Sequence, residues 1–470
     1  MKRLLLVLAL GTCFTALAQK LSIRKGIVND TIKALGSTNE SFALYLPTNF
    51  DASKEWPVLF VFDMEGRNKQ ALAMFKEAAE DQGYILASSN NVTDTLSLSE
   101  NMLISSRMFN SLYSMLPIRK NRTYVGGFSS GARFSSLIPT FIKNVEGVIS
   151  CGSAVSTTEV LNGKNPFHFI GLVGNLDYSY PDMVSLEKIL DKLKFPNQLL
   201  VFEGEHEWPP KNQLSKAFEF FTLGAMARNT IARDTVFIRE SYNRNLAEAG
   251  VFITANKPLL ADKIITDMME VYRPFMNIDS LKENRKTLKK SRFFKAHTRA
   301  QNAIVFKETL IKDDYDYYLE EDILSYNFNN LGWWKYQMEE LEKYDKSNNI
   351  FEQQMGKRLR GYINALIKDN IDLLKAQPAI DLEALNFLYM LQTIADPKNA
   401  QGYLRVISNS ARMEDYPTAL FYLEELLKTG YDNRPSLYEI EHTALLRITP
   451  EYNEVVEKYL KEARYDLNEQ

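Results

Sequence analysis

Thr123-Tyr124-Val125-Gly126-Gly127-Phe128-Ser129-Ser130-Gly131-Ala132-Arg133 is the stretch whose reading decides the rest of the chain. A strand-like run, Thr123 to Gly127, meets a stretch of helical character beginning near Gly131, and a serine stands between them. A serine nucleophile on a tight strand-to-helix turn needs small residues two positions to either side, because the turn brings backbone segments together. Gly127 and Gly131 meet that need for Ser129. Ser130 would be flanked by Phe128 and Ala132 instead, and Phe128 is too bulky. The turn therefore selects Ser129, with Gly127 and Gly131 as its elbow glycines. It also sets the hydroxyl at a helix start, where N–H groups and the helix dipole favour developing negative charge.

Working outward, short apolar runs alternate with amphipathic stretches across residues 40–210. The runs are 41–46, 58–62, 84–87, 123–127, 147–150, 167–173 and 199–202, and the helical candidates are 69–82, 100–116, 130–143, 182–194 and 211–226. That alternation predicts an α/β fold: a mostly parallel sheet with helices on both faces. From about residue 226 glycine becomes sparse and helical periodicity dominates, as in 261–271, 336–344 and 352–367. Near the end, Tyr403 and Tyr416 to Leu423 give one passable copy of a tetratricopeptide-like helix pair, with Ala419 where the helices would cross. The expected organisation is a signal peptide over 1–18, an α/β domain over 19–225 and an all-α, repeat-like domain over 226–470.

A serine hydroxyl needs a base and an acid that orients it, and on this kind of sheet they follow in the order Ser, Asp or Glu, His, each after a later strand. The run ending at Val173 leads into Gly174-Asn175-Leu176-Asp177, and the run ending at Phe202 leads into Glu203-Gly204-Glu205-His206-Glu207-Trp208-Pro209. Asp177 and His206 thus stand where the acid and base are expected. Of the four histidines, His168 reads as a structural strand residue, while His297 and His442 fall in the helical half. Asp182 is the rival acid, but it reads as the N-cap of the next helix. Glu203, Glu205 and Glu207 are too near His206 along the chain to orient it.

With these residues in hand, the first half resembles the α/β-hydrolase serine esterases, in the branch of polyhydroxybutyrate-depolymerase-like, feruloyl-esterase and dienelactone-hydrolase-like proteins. The pieces that carry the resemblance are Tyr45-Leu46-Pro47, Trp56-Pro57-Val58-Leu59-Phe60-Val61-Phe62-Asp63, Gly126 to Arg133, Gly174 to Asp177 and Phe202 to Pro209, within residues 40–225. It implies an acyl-enzyme: Ser129 attacks a carbonyl, His206 moves the proton and Asp177 orients the imidazole. It also implies an oxyanion hole. Where relatives carry a His-Gly pair, this chain reads Phe62-Asp63-Met64-Glu65-Gly66, so the expected donors are the backbone N–H groups of Met64 and Ser130. Asp63 and Glu65 would oppose an oxyanion unless they point away.

Composition narrows the alternatives. The 470 residues are 45% hydrophobic and 24% charged with a formal net charge of −3, a balance that points neither to nucleic acid nor to an anionic membrane. The basic stretch Arg285 to Lys295 carries Leu288, Phe293 and Phe294 between its charges and reads as one amphipathic helix. Met1-Lys2-Arg3, the apolar Leu4 to Leu10, and Ala16-Leu17-Ala18 before Gln19 form a secretory signal cleaved after Ala18, so the chain is expected to be periplasmic or secreted. A lipid anchor on Cys13 is the weaker reading, because Thr12 suits a lipobox poorly. No later run is long enough to span a bilayer. Cys151, the other cysteine, sits in an apolar run and reads as a buried strand residue.

The helical half shows no catalytic constellation. Trp333, Trp334, Tyr315, Tyr317 and Tyr318 there read as packing before they read as a carbohydrate or aromatic site. The function expected is hydrolysis of a small-molecule or polymeric carboxylic ester, with no metal and no organic cofactor. A serine peptidase would use the same triad, and a non-catalytic protein whose helices dock a partner is the alternative of another class.

Overall fold

The computed structural model describes residues 23–37, 39–461 and 463. The expected signal peptide and Cys13 lie outside them. Eight strands are present: β1 Val28–Lys33, β2 Ser41–Tyr45, β3 Trp56–Phe62, β4 Ile85–Ser89, β5 Ile118–Phe128, β6 Val145–Cys151, β7 His168–Gly174 and β8 Asn197–Phe202. They form one sheet in the order β1-β2-β4-β3-β5-β6-β7-β8. Strand β3 runs parallel to β4 and to β5, whereas β2 is antiparallel to β1 and β4. The sheet is mixed at this edge. Its first strand, Val28-Asn29-Asp30-Thr31-Ile32-Lys33, escaped the sequence reading because only Ile32 and Val28 are apolar, as suits an edge strand that is largely exposed.

By compactness the chain divides into two units. The first runs through Ser150 and includes Val155–Phe169 and Pro210–Ala225; the second comprises Cys151–Ala154, Ile170–Pro209 and the chain from Met226 onward.

In the first unit, strand burial explains the near-continuous apolar runs: every residue of β3 is buried. Phe60 and Phe62, two apart on one face of β3, meet Phe109 of α2 (Leu98–Met115) and Phe134 of α3 (Ser130–Phe141), with ring centroids 3.7 and 5.1 Å apart. Leu59 points to the other face and is level with Tyr124 of β5, which stacks on Phe221 of α5 (Lys211–Ala227) at 4.1 Å. Phe218 of α5 packs in turn on Phe75 of α1 (Asn68–Gln82). Helices therefore cover both faces, and the architecture is that of an α/β-hydrolase sheet. Cys151 is wholly buried, as read, and that burial pushes its thiol far above the ordinary value, so it is inert.

In the second unit, α4 (Tyr180–Leu193) joins β7 to β8, and an all-helical run follows: α6 (Thr235–Thr254), α7 (Pro258–Tyr272), α8 (Asp279–Lys290), α9 (Arg292–Ser325), α10 (Leu331–Asp345), α11 (Ile350–Lys375), α12 (Leu382–Ala395), α13 (Ala400–Arg412) and α14 (Tyr416–Lys428), then the short α15 (Arg434–Leu437) and α16 (Pro450–Leu460). The basic stretch is two helices, not one. Ser291, extended at φ −62° and ψ 143°, ends α8 and caps α9 by accepting from the Phe294 N–H. Trp334 and Tyr315 are core, and the Trp334 indole donates to Asp322 Oδ2 at 2.8 Å. Tyr317 and Tyr318 are exposed. Ala419 is fully buried among the last helices. No helix among the described residues is long and apolar enough to cross a membrane.

Candidate active site

Ser129 stands at the junction of β5 and α3 with φ 51° and ψ −118°, a region that a side-chain-bearing residue enters only under constraint. The two elbow glycines supply that constraint. A β-carbon on Gly131 would stand 2.2 Å from the Phe62 carbonyl oxygen, and one on Gly127 would stand 2.5 Å from the same atom and 2.7 Å from the Gly131 carbonyl carbon. The end of β3 thus presses on both arms of the turn. The Ser129 carbonyl accepts from the Ala132 and Arg133 N–H groups at 3.0 Å, which starts α3, and the side chain makes no cap bond to that helix. The residue is part-exposed. Gly131→Ala should therefore destabilise the first unit by about 3 kcal/mol or more, since the clash is with backbone and cannot rotate away. Thermal unfolding against Ser130→Ala, which meets no such contact, checks it.

The loop after β3 holds Met64 and the two acids that looked unfavourable. Asp63 is buried and turned onto its own loop: its Oδ1 accepts from the Glu65 and Arg67 N–H groups at 3.0 and 2.9 Å. Arg67 pairs with Asp63 and with Glu65, each at 3.1 Å. One guanidinium thus offsets one of the two negative charges, and the Asp63 carboxylate is held by its own loop. The Met64 carbonyl accepts from the Asp94 N–H at 3.0 Å, which fixes the orientation of that peptide.

In the second unit the ends of β7 and β8 are stitched together. Asn175 N–H donates to Phe202 O at 2.8 Å and Leu176 N–H to Gly204 O at 2.9 Å, and a β-carbon on Gly174 would stand 2.2 Å from Gly204 O. This brings Asp177 and His206 together. His206 Nδ1 lies 3.0 Å from both Asp177 carboxylate oxygens, and Asp177 Oδ1 also accepts from the Ser179 N–H at 2.8 Å. The acid has no exposed surface, while the imidazole retains 22%. A carboxylate can only accept, so Nδ1 carries the proton and Nε2 is the basic nitrogen. Nε2 lies 3.2 Å from the Tyr178 hydroxyl.

The rival acid Asp182 is not an N-cap. Helix α4 begins at Tyr180 with Ser179 in the cap position, because Pro181 suits the first turn. Asp182 sits in that turn, exposed, 3.5 Å from Lys312. His168 is buried with its ring edge-on to Phe221, and His297 Nδ1 lies 3.0 Å from Phe293 O, so both have structural surroundings.

The helices of the second unit grip the acid-bearing loop, which single-sequence reading could not foresee. Arg358 of α11, buried, forms a bidentate pair with the buried Glu308 of α9 and donates to the Asn175 carbonyl at 2.8 Å. Lys312 of α9 donates to the Tyr178 carbonyl at 2.7 Å, and Gln301 to the Tyr180 hydroxyl at 2.6 Å. These partners lie more than a hundred residues away in sequence. Beside them is a cavity of about 980 Å³ whose lining includes Tyr180, Lys263, Arg285, His297 and Gln301. In its lining Arg285 pairs with Asp262 at 2.7 Å and Lys263 with Glu187 and Asp267.

No family model and no curated protein matches the chain. Solved structures do. One is Est1E from Butyrivibrio proteoclasticus, 11% identical over 43% of this chain and 99% of that one, with a TM-score of 0.34. A hyperthermophilic esterase from the archaeon Pyrobaculum calidifontis is 10% identical over 43% of this chain and 87% of that one, at 0.36. Dipeptidyl peptidase 4 of Porphyromonas gingivalis is 12% identical over 42% of this chain at 0.34, and the match spans only 36% of that chain.

Proposed function

We propose that this chain is an exported serine hydrolase that cleaves carboxylic esters through an acyl-enzyme on Ser129. The observation that carries the reading is the Asp177–His206 pair: a carboxylate removed from solvent, both of its oxygens 3.0 Å from Nδ1, on the loops that follow β7 and β8. The constrained turn at Ser129 supports it from the nucleophile's side. In this mechanism Ser129 Oγ adds to the ester carbonyl while His206 Nε2 takes its proton. The backbone N–H groups of Met64 and Ser130 receive the negative charge on the carbonyl oxygen. The imidazolium then protonates the leaving alcohol as the C–O bond breaks, and water returns the enzyme by the same steps in reverse. Asp177 holds the tautomer and stabilises the imidazolium. No metal and no organic cofactor enters.

Export rests on residues 1–18, released after Ala18 and not anchored through Cys13. The helical residues 226–470 are the part proposed to meet a protein partner. The reading is tested by comparing short p-nitrophenyl esters with peptide p-nitroanilides. It expects turnover of the esters that is lost in Ser129→Ala. Turnover of amides but not esters would make the same residues a peptidase, and turnover of neither would remove the enzyme.

A further inference from the structure

Tyr178 is the residue beside the pair that nothing so far explains. Its ring lies against the His206 imidazole, centroids 4.4 Å apart and tilted by 34°, with its hydroxyl 3.2 Å from Nε2. Its position is imposed from the helices. Lys312 of α9 holds its carbonyl at 2.7 Å, and Gly361 of α11 leaves room for its ring, since a β-carbon there would stand 3.3 Å from Tyr178 Cδ1. Charged groups near the pair include Asp177 on Nδ1, Glu205 and Glu207 on either side of His206 in the chain, Lys312, itself 3.5 Å from Asp182, and the Arg358–Glu308 pair on the Asn175 carbonyl.

With Nδ1 protonated toward Asp177, Nε2 offers a lone pair, and a phenol hydroxyl is a good donor to it. That lone pair is the one that must take the proton of the nucleophile. We propose that Tyr178 is a positioning residue that occupies the proton-accepting nitrogen of His206 from a seat built by α9 and α11, so that the helical region restrains the base until the hydroxyl turns away. The inference rests on the serine-hydrolase reading. It gives the helices a direct line to the chemistry: whatever shifts α9 or α11 moves Lys312 and Gly361, and with them the hydroxyl.

The test is Tyr178→Phe, which keeps the ring and removes only the donor, read in two ways. In the ¹⁵N spectrum of imidazole-labelled protein, the Nε2 resonance of neutral His206 should move downfield, the direction of losing a donor. The rate of labelling by a fluorophosphonate should rise about fivefold, the worth of one ordinary hydrogen bond. Lys312→Met, which leaves the hydroxyl but frees the carbonyl that seats it, should move both readouts in the same direction. An unmoved Nε2 resonance in Tyr178→Phe overturns the bond. A moved resonance with labelling unchanged or slower overturns the restraint. Should wild-type protein not label at all, the hydrolase reading fails and the restraint with it, while the resonance still reports the bond.

Discussion

In His206→Ala, ester hydrolysis is expected to fall by on the order of 10⁶-fold, with binding of substrate little changed. The imidazole is the group able to take the Ser129 proton near neutral pH, and alanine leaves the hydroxyl at its ordinary, weakly nucleophilic state. Asp177→Asn should cost less, about 10⁴-fold, by a different route. Its amide would donate to Nδ1, so the ring would present the wrong tautomer while the geometry stayed intact. The order of the two losses is therefore part of the prediction. Equal losses would mean that Asp177 holds the loop and not the proton. Steady-state kinetics on a p-nitrophenyl ester checks both, with circular dichroism to show that the variants fold.

Arg358→Met should destabilise the second unit by about 3–5 kcal/mol, because it leaves Glu308 charged, buried and without its partner. Glu308 has no exposed surface, and Arg358 meets it through Nε and Nη2 at 2.9 and 2.6 Å. The same guanidinium holds the Asn175 carbonyl, two residues before Asp177, and lies 5.3 Å from the Tyr180 ring. The loss should thus reach catalysis as well as stability. The double variant with Glu308→Leu removes the orphaned charge and should recover most of the stability while the Asn175 carbonyl stays unheld. Urea unfolding of the two variants separates these effects. A single variant as stable as wild type would show that the pair holds nothing together.

How far the sequence could be read follows from where the information lies. Strands buried on both faces announce themselves as apolar runs, and the one exposed edge strand, β1, did not. The turn at Ser129 was legible because backbone crowding against Phe62 allows only glycine at positions 127 and 131, a demand written in the local string. Asp177 and His206 followed from strand order. The division at Ser291 was masked because the basic, amphipathic composition of α8 runs on into the first turns of α9, across the serine whose extended backbone and hydroxyl cap separate them. Tyr178, Lys312, Glu308 and Arg358 were illegible for a deeper reason. Their roles exist only after the helices have packed, and no local spacing carries them.

The central claim is that Ser129 is a nucleophile activated by His206. The most direct measurement is fluorophosphonate labelling between about pH 6 and 9, where a histidine base works, followed by peptide mapping. The account predicts one adduct, on Ser129, that is absent from Ser129→Ala. An adduct that survives in Ser129→Ala, or no adduct at any pH in that range, would contradict it.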